Sequence, residues 1–269
     1  MKKKERIDKL LVEKGFVKSR EHAKRLVLSG RIKVDGFVAD KVGHSYDVNS
    51  SISITESKRE FVSRGGEKLF HALDYFRIDP ISKSCLDVGS STGGFTDVLL
   101  KRQAAHVVCV DVGKGLLDWS LRNDSRVTII EGVNARYLNR QILSSSDCDL
   151  NFEFAVIDVS FISLMKILPV IQKLISFPNE IVALVKPQFE VGKNRVGKGG
   201  IVRDQKLHEE VLFNIWQESK DLGFSPCNVT DSPILGTKGN REFFIHFNME
   251  NSKKDFKNII ENIFKSKED

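Results

Sequence analysis

The chain has 269 residues, of which 41% are hydrophobic and 29% are charged, and it carries a net charge of +6. This length allows one large domain and one small domain, and the composition argues against a disordered chain or a membrane protein. Residues 1–60 hold 15 basic residues (Lys and Arg) and 9 acidic residues (Asp and Glu), whereas residues 61–269 hold 27 basic and 27 acidic residues. A basic N-terminal module therefore precedes a neutral body, which indicates a polyanionic partner.

Residues 1–60 have the pattern of a small α+β module. A first helix is predicted over Arg6–Lys14, and a second helix begins after the N-cap Ser19 and ends at Gly30. The Asp35-Gly36 dipeptide stands between two apolar strand segments and predicts a β-hairpin. The basic side chains that are predicted to point outward from this module are Arg20, Lys24, Arg25 and Arg31.

The module resembles a known RNA-binding fold. Its pattern, Arg-Ile-Asp-x-x-Leu followed by Ser-Arg-x-x-Ala-x-x-Leu-Val-x-x-Gly-x-Ile-x-Val-Asp-Gly, is similar to the S-four-like module first known from a protein of the small ribosomal subunit. The resemblance implies that the four outward cations contact RNA phosphates, which gives affinity without sequence choice. A basic helix that only faces water on an unrelated small domain is the alternative.

Strands and helices alternate from residue 81 onward, which predicts a doubly wound, mostly parallel α/β sheet of seven strands over residues 81–248. Residues 61–80 would hold a linker and a first helix over Glu67–Phe76, and residues 249–269 a helical tail. The glycine-rich basic segment 188–204 is predicted to be a long loop, either an RNA-contacting lid or a mobile surface loop. The predicted strands are Cys85–Val88, Val107–Val112, Val127–Glu131, Phe154–Asp158, Ile181–Lys186 and a closing pair near Cys227–Leu235 and Glu242–Phe247.

The segment Cys85–Phe95 reads as an apolar strand that leads into a glycine turn and a helix. Glycines here let the backbone approach a ligand, and the helix presents free N–H groups to it. The spacing is Asp-x-Gly-x-x-x-Gly-Gly and not the Gly-x-Gly-x-x-Gly of a dinucleotide site, and Asp87 at the strand end would repel a pyrophosphate. A cationic ligand is therefore favoured, with S-adenosylmethionine as the candidate. An ordinary strand-turn-helix joint is the alternative.

Polar residues at the next two strand ends extend this candidate site. Asp111 stands near the spacing at which an acid accepts ribose hydroxyls, although it could instead cap the turn at Gly113. Asn134 follows the third strand and could contact the adenine edge. The residues that are predicted to hold the cofactor are Asp87, Gly89, Ser91, Gly93, Gly94, Phe95, Asp111 and Asn134.

Four charged residues stand at unusual places. Lys186 follows a buried strand, where a lysine is unfavourable unless it is paired or functional. Lys68 lies in the predicted first turn of a helix, whose dipole disfavours a cation. Asp158 ends the fourth strand and Glu242 begins the last one. Taken singly, any of them could be a surface or salt-bridge residue, but violations of local rules tend to occur at functional sites.

In this order around the glycine turn, Lys68, Asp158, Lys186 and Glu242 resemble the Lys-Asp-Lys-Glu tetrad of FtsJ-like ribose 2′-O-methyltransferases. With the preceding module, nearly the whole chain resembles the TlyA family of ribosomal RNA methyltransferases, some of which have been labelled haemolysins. The resemblance implies a Rossmann-like domain that uses S-adenosylmethionine, without a metal, to methylate a ribose, with cytidine as the implied target, in ribosomal RNA or ribosomal subunits. Lys186 is expected to activate the hydroxyl, with a pKa that Lys68 would lower and the two acids would raise.

Other functions remain open. The chain could be a non-catalytic RNA-binding or ribosome-assembly protein, or a membrane-lysing factor, although it has no apolar stretch long enough to span a membrane. A base methyltransferase would usually show an Asn-Pro-Pro-aromatic or cysteine motif at the fourth strand, where Asp-Val-Ser-Phe stands. The four cysteines lack metal-ligand spacing and are expected to be reduced core thiols. Nothing at the N-terminus resembles a signal peptide, so a cytoplasmic location is expected.

Overall fold

The computed structural model describes residues 4–55, 60–144, 151–248 and 254–265, which form a small N-terminal module and an α/β body. The elements of the module are β1 (Lys4–Arg6), α1 (Ile7–Glu13), α2 (Arg20–Leu28), β2 (Ile32–Val34), β3 (Phe37–Val38), β4 (Ser45–Asp47) and β5 (Ile52–Ile54). The strands of the body are β6 (Ser84–Val88), β7 (His106–Asp111), β8 (Val127–Glu131), β9 (Phe152–Ile157), β10 (Ile175–Val185), β11 (Ser225–Asp231) and β12 (Phe243–Asn248). The helices of the body are α3 (Arg64–Phe76), α4 (Gly94–Lys101), α5 (Trp119–Arg122), α6 (Arg140–Ser144), α7 (Leu168–Gln172), α8 (Pro187–Glu190), α9 (Gln205–Asp221) and α10 (Phe256–Lys265).

Local sequence rules account for the module. The Ser19 hydroxyl accepts a hydrogen bond from the backbone N–H of His22 at 3.1 Å, which confirms the predicted N-cap of α2. Gly30 follows this helix with a φ of 66°, a conformation that glycine adopts without strain. Asp35 and Gly36, both with positive φ, join β2 to β3 and confirm the predicted hairpin.

A buried carboxylate ties the two helices of the module together. The Asp8 side chain is 0% exposed and accepts hydrogen bonds from Nε of Arg6 at 3.0 Å and Nη2 of Arg20 at 2.6 Å. Burial acts to raise the pKa of Asp8, but the hydrogen bonds from both arginines outweigh it and lower this pKa. Arg20 therefore points to the surface, as predicted, but from a fixed position.

The seven strands of the body lie in the order β11-β12-β10-β9-β6-β7-β8, and only β12 runs antiparallel to its neighbours, which confirms the predicted sheet. Alternate residues of a central strand pack on opposite faces: Phe154 and Val156 belong to one core cluster, and Ala155 and Ile157 to the other. A strand buried on both faces must be apolar throughout, so the continuous apolar segments predicted the central strands well.

Helix α3 begins at Arg64, three residues before the predicted start. The sequence placed the start late because two glycines usually interrupt a helix. Here Gly66 allows close packing, since a Cβ atom on it would lie 2.4 Å from Cβ of Phe61. As a correction, Lys68 lies in the second turn of the helix and not the first, so the dipole argument does not explain its position.

The segment predicted as one long loop, residues 188–204, is only partly a loop. It includes most of α8, a 3₁₀ turn over Lys193–Arg195 and a bridge between Gly197 and Ile201. The cysteines at 85, 109 and 227 are buried thiols, whereas Cys148 lies outside the described residues. No helix in the described ranges is long and apolar enough to cross a bilayer.

Candidate active site

Three neighbouring strands bring charged residues to one edge of the sheet. Asp158 follows β9, Lys186 follows β10 and Glu242 precedes β12. Strands β9 and β10 are parallel, so their ends meet, and β12 is antiparallel, with Phe243 paired to Val185, so its beginning meets them. The carboxyl edge of such a sheet is where ligands usually bind.

These three side chains and Lys68 from α3 form two separate ion pairs. Nζ of Lys68 lies 2.6 Å from Oε2 of Glu242, and Nζ of Lys186 lies 2.5 Å from Oδ1 of Asp158. Nζ of Lys186 also donates to Oγ of Ser160 at 2.9 Å. All four charged residues line one cavity of about 230 Å³, so the structure brings together the tetrad that the sequence predicted.

The charges around Lys186 favour its ammonium form. Burial acts to lower the pKa of Lys186, but the carboxylates of Asp158 and Glu242 outweigh it and raise this pKa. The lowering expected from Lys68 does not decide the direction, because the net shift of this pKa is upward. The protein therefore holds a cation in the lining of this cavity of about 230 Å³, which we call the acceptor cavity.

The glycine turn after β6 supports this cavity. Gly89 has a φ of 88°, and a Cβ atom on it would lie 2.3 Å from the carbonyl oxygen of Asp158. Gly93 lies against Leu117 and Leu121 and does not line this cavity, so the contacts seen at Gly93 are packing contacts. A Cβ atom at Gly89 would meet rigid backbone, whereas at Gly93 it would meet the movable ends of two leucine side chains in a backbone conformation that favours glycine.

Replacing Gly89 with alanine should lower the free energy of unfolding by about 1–3 kcal/mol, because the methyl group meets backbone and not a movable side chain. Gly239→Ala is the matched control, since Gly239 has a φ of 85° but nothing within 4 Å of its Cβ position. Urea unfolding of both variants separates the clash from the strain of a positive φ. Equal losses would mean that the close approach to Asp158 is unimportant.

A second cavity, of about 790 Å³, adjoins the first along the ends of β6, β7 and β8. Its volume lies within the range of small-molecule sites. Asp111 lines it, and its carboxylate accepts from the backbone N–H groups of Ser91 at 2.8 Å and Gly113 at 2.6 Å. The capping role that the sequence left open for Asp111 is therefore present. Asn134 also lines this cavity, and its side chain caps the turn at Arg136.

Asp87 lies behind the glycine turn and not in either cavity lining. The side chain is 0% exposed, and its Oδ2 accepts a hydrogen bond from Oγ1 of Thr96 at 2.6 Å. Within the described part of the chain, Oδ1 has no hydrogen-bond partner. Burial, with a smaller contribution from Asp158, raises the pKa of Asp87 to about 7.

The residues present fit S-adenosylmethionine. The carboxylate of Asp87 lies behind the glycine turn with one oxygen unpaired, so its negative charge would favour a cationic ligand at the turn, and such a ligand would favour the ionised form of this acid. The acceptor cavity, of about 230 Å³, and the larger cavity meet at the glycine turn. Five described residues line both: Leu28, Gly89, Ser91, Asp158 and Ser160.

The sequence did not single out an exposed aromatic residue at the mouth of the larger cavity. Phe161 is 90% exposed with a φ of 66°, and its ring centroid lies 5.0 Å from that of Phe189. A large apolar side chain held out in solvent in a rare backbone conformation is a candidate ligand contact. Its only signal in the sequence is its place, three residues after the strand-end Asp158.

The basic residues of the module do not all face outward as predicted. As a correction, Arg25 donates from Nη1 to the carbonyl oxygen of Gly115, which is in the body, at 3.0 Å. Arg31 and Lys24 are half-buried, and Nε of Arg31 donates to the carbonyl oxygen of Thr55 at 3.4 Å. Arg25 thus contacts the body and Arg31 contacts its own module, and the helical pattern of one segment reveals neither contact.

Comparisons with known proteins match both parts of the chain. Residues 61–249 match the model of the FtsJ-like methyltransferase family, and residues 5–52 match the S4 domain. The 16S/23S rRNA (cytidine-2′-O)-methyltransferase TlyA of Mycobacterium tuberculosis is 42% identical over 91% of this chain and 90% of its own length. Hemolysin A of Brachyspira hyodysenteriae is 41% identical over 90% of this chain and 99% of its own. The solved structure of a candidate hemolysin from Streptococcus thermophilus is 39% identical, with a TM-score of 0.73, and covers 98% of this chain and 97% of its own.

Proposed function

This chain belongs to the FtsJ-like methyltransferase family and carries an S4 domain, and from that premise we propose that it methylates the 2′-hydroxyl of a cytidine ribose in ribosomal RNA. The proposal depends above all on one observation: two lysine–carboxylate ion pairs lie in the acceptor cavity, next to the larger cavity of about 790 Å³. The relatives named for rRNA cytidine-2′-O-methylation support the same acceptor. A ribosomal RNA substrate implies a cytoplasmic location.

S-adenosylmethionine would supply an electrophilic methyl group on a sulfonium. The larger cavity would hold its nucleoside, with Asp111 and Asn134 at the end that we assign to the ribose and adenine. Ser91 and the glycine turn would border its amino acid portion, and the buried carboxylate of Asp87 behind this turn would favour the positive charge of the amino group without touching it. Phe95 and Gly94 line the acceptor cavity and would fix its boundary. Transfer of a methyl group from a cation requires no metal in this proposal.

Lys186 would act on the acceptor oxygen. A ribose hydroxyl is a poor nucleophile at neutral pH, so the nearby ammonium must favour its alkoxide. The proton that leaves the hydroxyl would pass to the carboxylate of Asp158, since Lys186, whose Nζ lies 2.5 Å from Oδ1 of Asp158, already holds its own proton. The Lys68–Glu242 pair would hold the ribose in line, since positioning supplies much of the rate of such a transfer.

Phe161 would stack on the base of the target nucleotide. Phe161→Ala should therefore lower kcat/KM for RNA by about tenfold, since stacking on one base contributes about 1–3 kcal/mol. Phe161→Tyr keeps a ring and should retain activity, which methyl incorporation into RNA can measure. Equal losses in the two variants would argue against stacking.

Arg20 would contact a phosphate, because its anchored guanidinium is still 47% exposed. RNA affinity should fall with added salt, and Arg20→Ala should reduce the slope of log affinity against log salt by about one. Arg126→Ala is the matched control, since Arg126 is 43% exposed and also paired with an aspartate, Asp124. Titrations at several salt concentrations would reveal an unchanged slope if Arg20 makes no phosphate contact.

The direct test is mass-spectrometric mapping of ribose methylation in ribosomal RNA from cells with and without this gene. We expect one or more 2′-O-methylcytidines that disappear with the gene and return when purified protein and S-adenosylmethionine are added. Identical maps, with RNA binding retained, would instead favour a non-catalytic assembly protein. Leakage of liposomes with the purified protein would support a lytic activity.

A further inference from the structure

The RNA-binding module reaches into the methyl-transfer site. Leu28, the last residue of α2, is 40% exposed and lines both the acceptor cavity and the larger cavity. Asp40, also from the module, lines the acceptor cavity. The two cavities are therefore not built by the methyltransferase domain alone.

Contacts of the module with the body fix the position of this helix end. Arg25 lies one turn before Leu28 on α2 and donates to the carbonyl oxygen of Gly115 at 3.0 Å. The loop that contains Gly115 is bonded in turn to the glycine turn, because the N–H of Asp118 donates to the carbonyl oxygen of Thr92 at 3.2 Å. The end of α2 is thus connected to the glycine turn through two hydrogen bonds.

Leu28 differs in chemistry from the other residues at the junction of the cavities. The remaining residues that line both cavities are glycine, serine or aspartate, so Leu28 supplies the only apolar side chain among these five. The methyl group must cross this junction to reach the acceptor oxygen. An apolar side chain here can exclude water and restrict the ribose without competing for its hydrogen bonds.

We propose that Leu28 is a substrate-positioning residue for methyl transfer, contributed by the RNA-binding module to the active site of the body. This inference rests on the proposed methyltransferase function. It gives the module a second role, because a correctly docked module completes the site in addition to binding RNA.

The test compares full-length Leu28→Ala, Leu28→Met and Phe16→Ala with wild type in methyl transfer to ribosomal RNA. Leu28→Ala should lower kcat by about tenfold with the KM for RNA within about twofold, because small displacements of reacting groups have large effects on rate. Leu28→Met keeps the volume and should restore kcat. Phe16 is the matched control: it lies in the same module, is 39% exposed and lines neither cavity, so Phe16→Ala should behave as wild type.

Thermal unfolding and calorimetry with S-adenosylhomocysteine identify any variant that has lost its fold or its cofactor site. An unchanged kcat in Leu28→Ala, or an equal loss in Phe16→Ala, overturns the role of Leu28 while leaving the proposed function intact. Absence of methyl transfer by wild type would overturn the proposed function itself, and this inference with it.

Discussion

Replacing Lys186 with alanine should lower kcat for methyl transfer by about 10²- to 10³-fold while S-adenosylmethionine affinity stays within about twofold. Two carboxylates keep this lysine protonated and hold it 2.5 Å from Asp158, so alanine removes the cation that favours the alkoxide. The side chain lines the acceptor cavity and not the larger one, so cofactor contacts should persist. Single-turnover methyl incorporation and calorimetry measure the two effects separately.

Lys173→Ala is the control for charge, because Lys173 is an exposed lysine of the same domain at the end of α7. It should turn over as wild type does. Cofactor affinity that falls in parallel with kcat would make Lys186 a cofactor ligand, and full activity in Lys186→Ala would remove it from the mechanism.

The second large effect is expected at Asp87. Asp87→Asn should weaken S-adenosylmethionine binding by about tenfold, because it removes the negative charge behind the glycine turn that would favour a cationic ligand. Asparagine keeps the shape and an acceptor oxygen, so a loss isolates the charge. Calorimetric titration measures it, with Asp79→Asn as a surface-acid control in the same domain.

The raised pKa of Asp87 predicts how stability and cofactor affinity change with pH. The unfolded chain loses this proton near its ordinary pKa of 3.8, whereas the folded protein holds it up to about 7. The native state therefore binds more protons between these values, and this group makes stability fall as pH rises through that window. A cationic ligand prefers the carboxylate, so cofactor affinity should rise between about pH 6 and 8. The rise should be absent in Asp87→Asn; its persistence would assign it to another group.

The residues of the candidate site could be predicted from the sequence where they directly follow a buried strand. An apolar strand buried on both faces is visible in the sequence, and the next polar residue marks the carboxyl edge, which is how Asp158 and Lys186 were found. Lys68 was found for a reason that the structure revises, since its helix starts earlier. Leu28 was missed because its place at the end of an amphipathic helix has no local signal of a role.

The sequence by itself determined which elements form: the N-cap and hairpin of the module, the central strands and the glycine turn, because caps, turns and apolar periodicity act over a few residues. Only the tertiary structure decided which distant groups meet. Lys68 pairs with Glu242 across 174 positions, Arg25 donates a hydrogen bond to the body, and Asp87 is fully buried behind the glycine turn. Such pairings depend on how whole layers pack, and the charge and burial that set the pKa of a side chain exist only after packing.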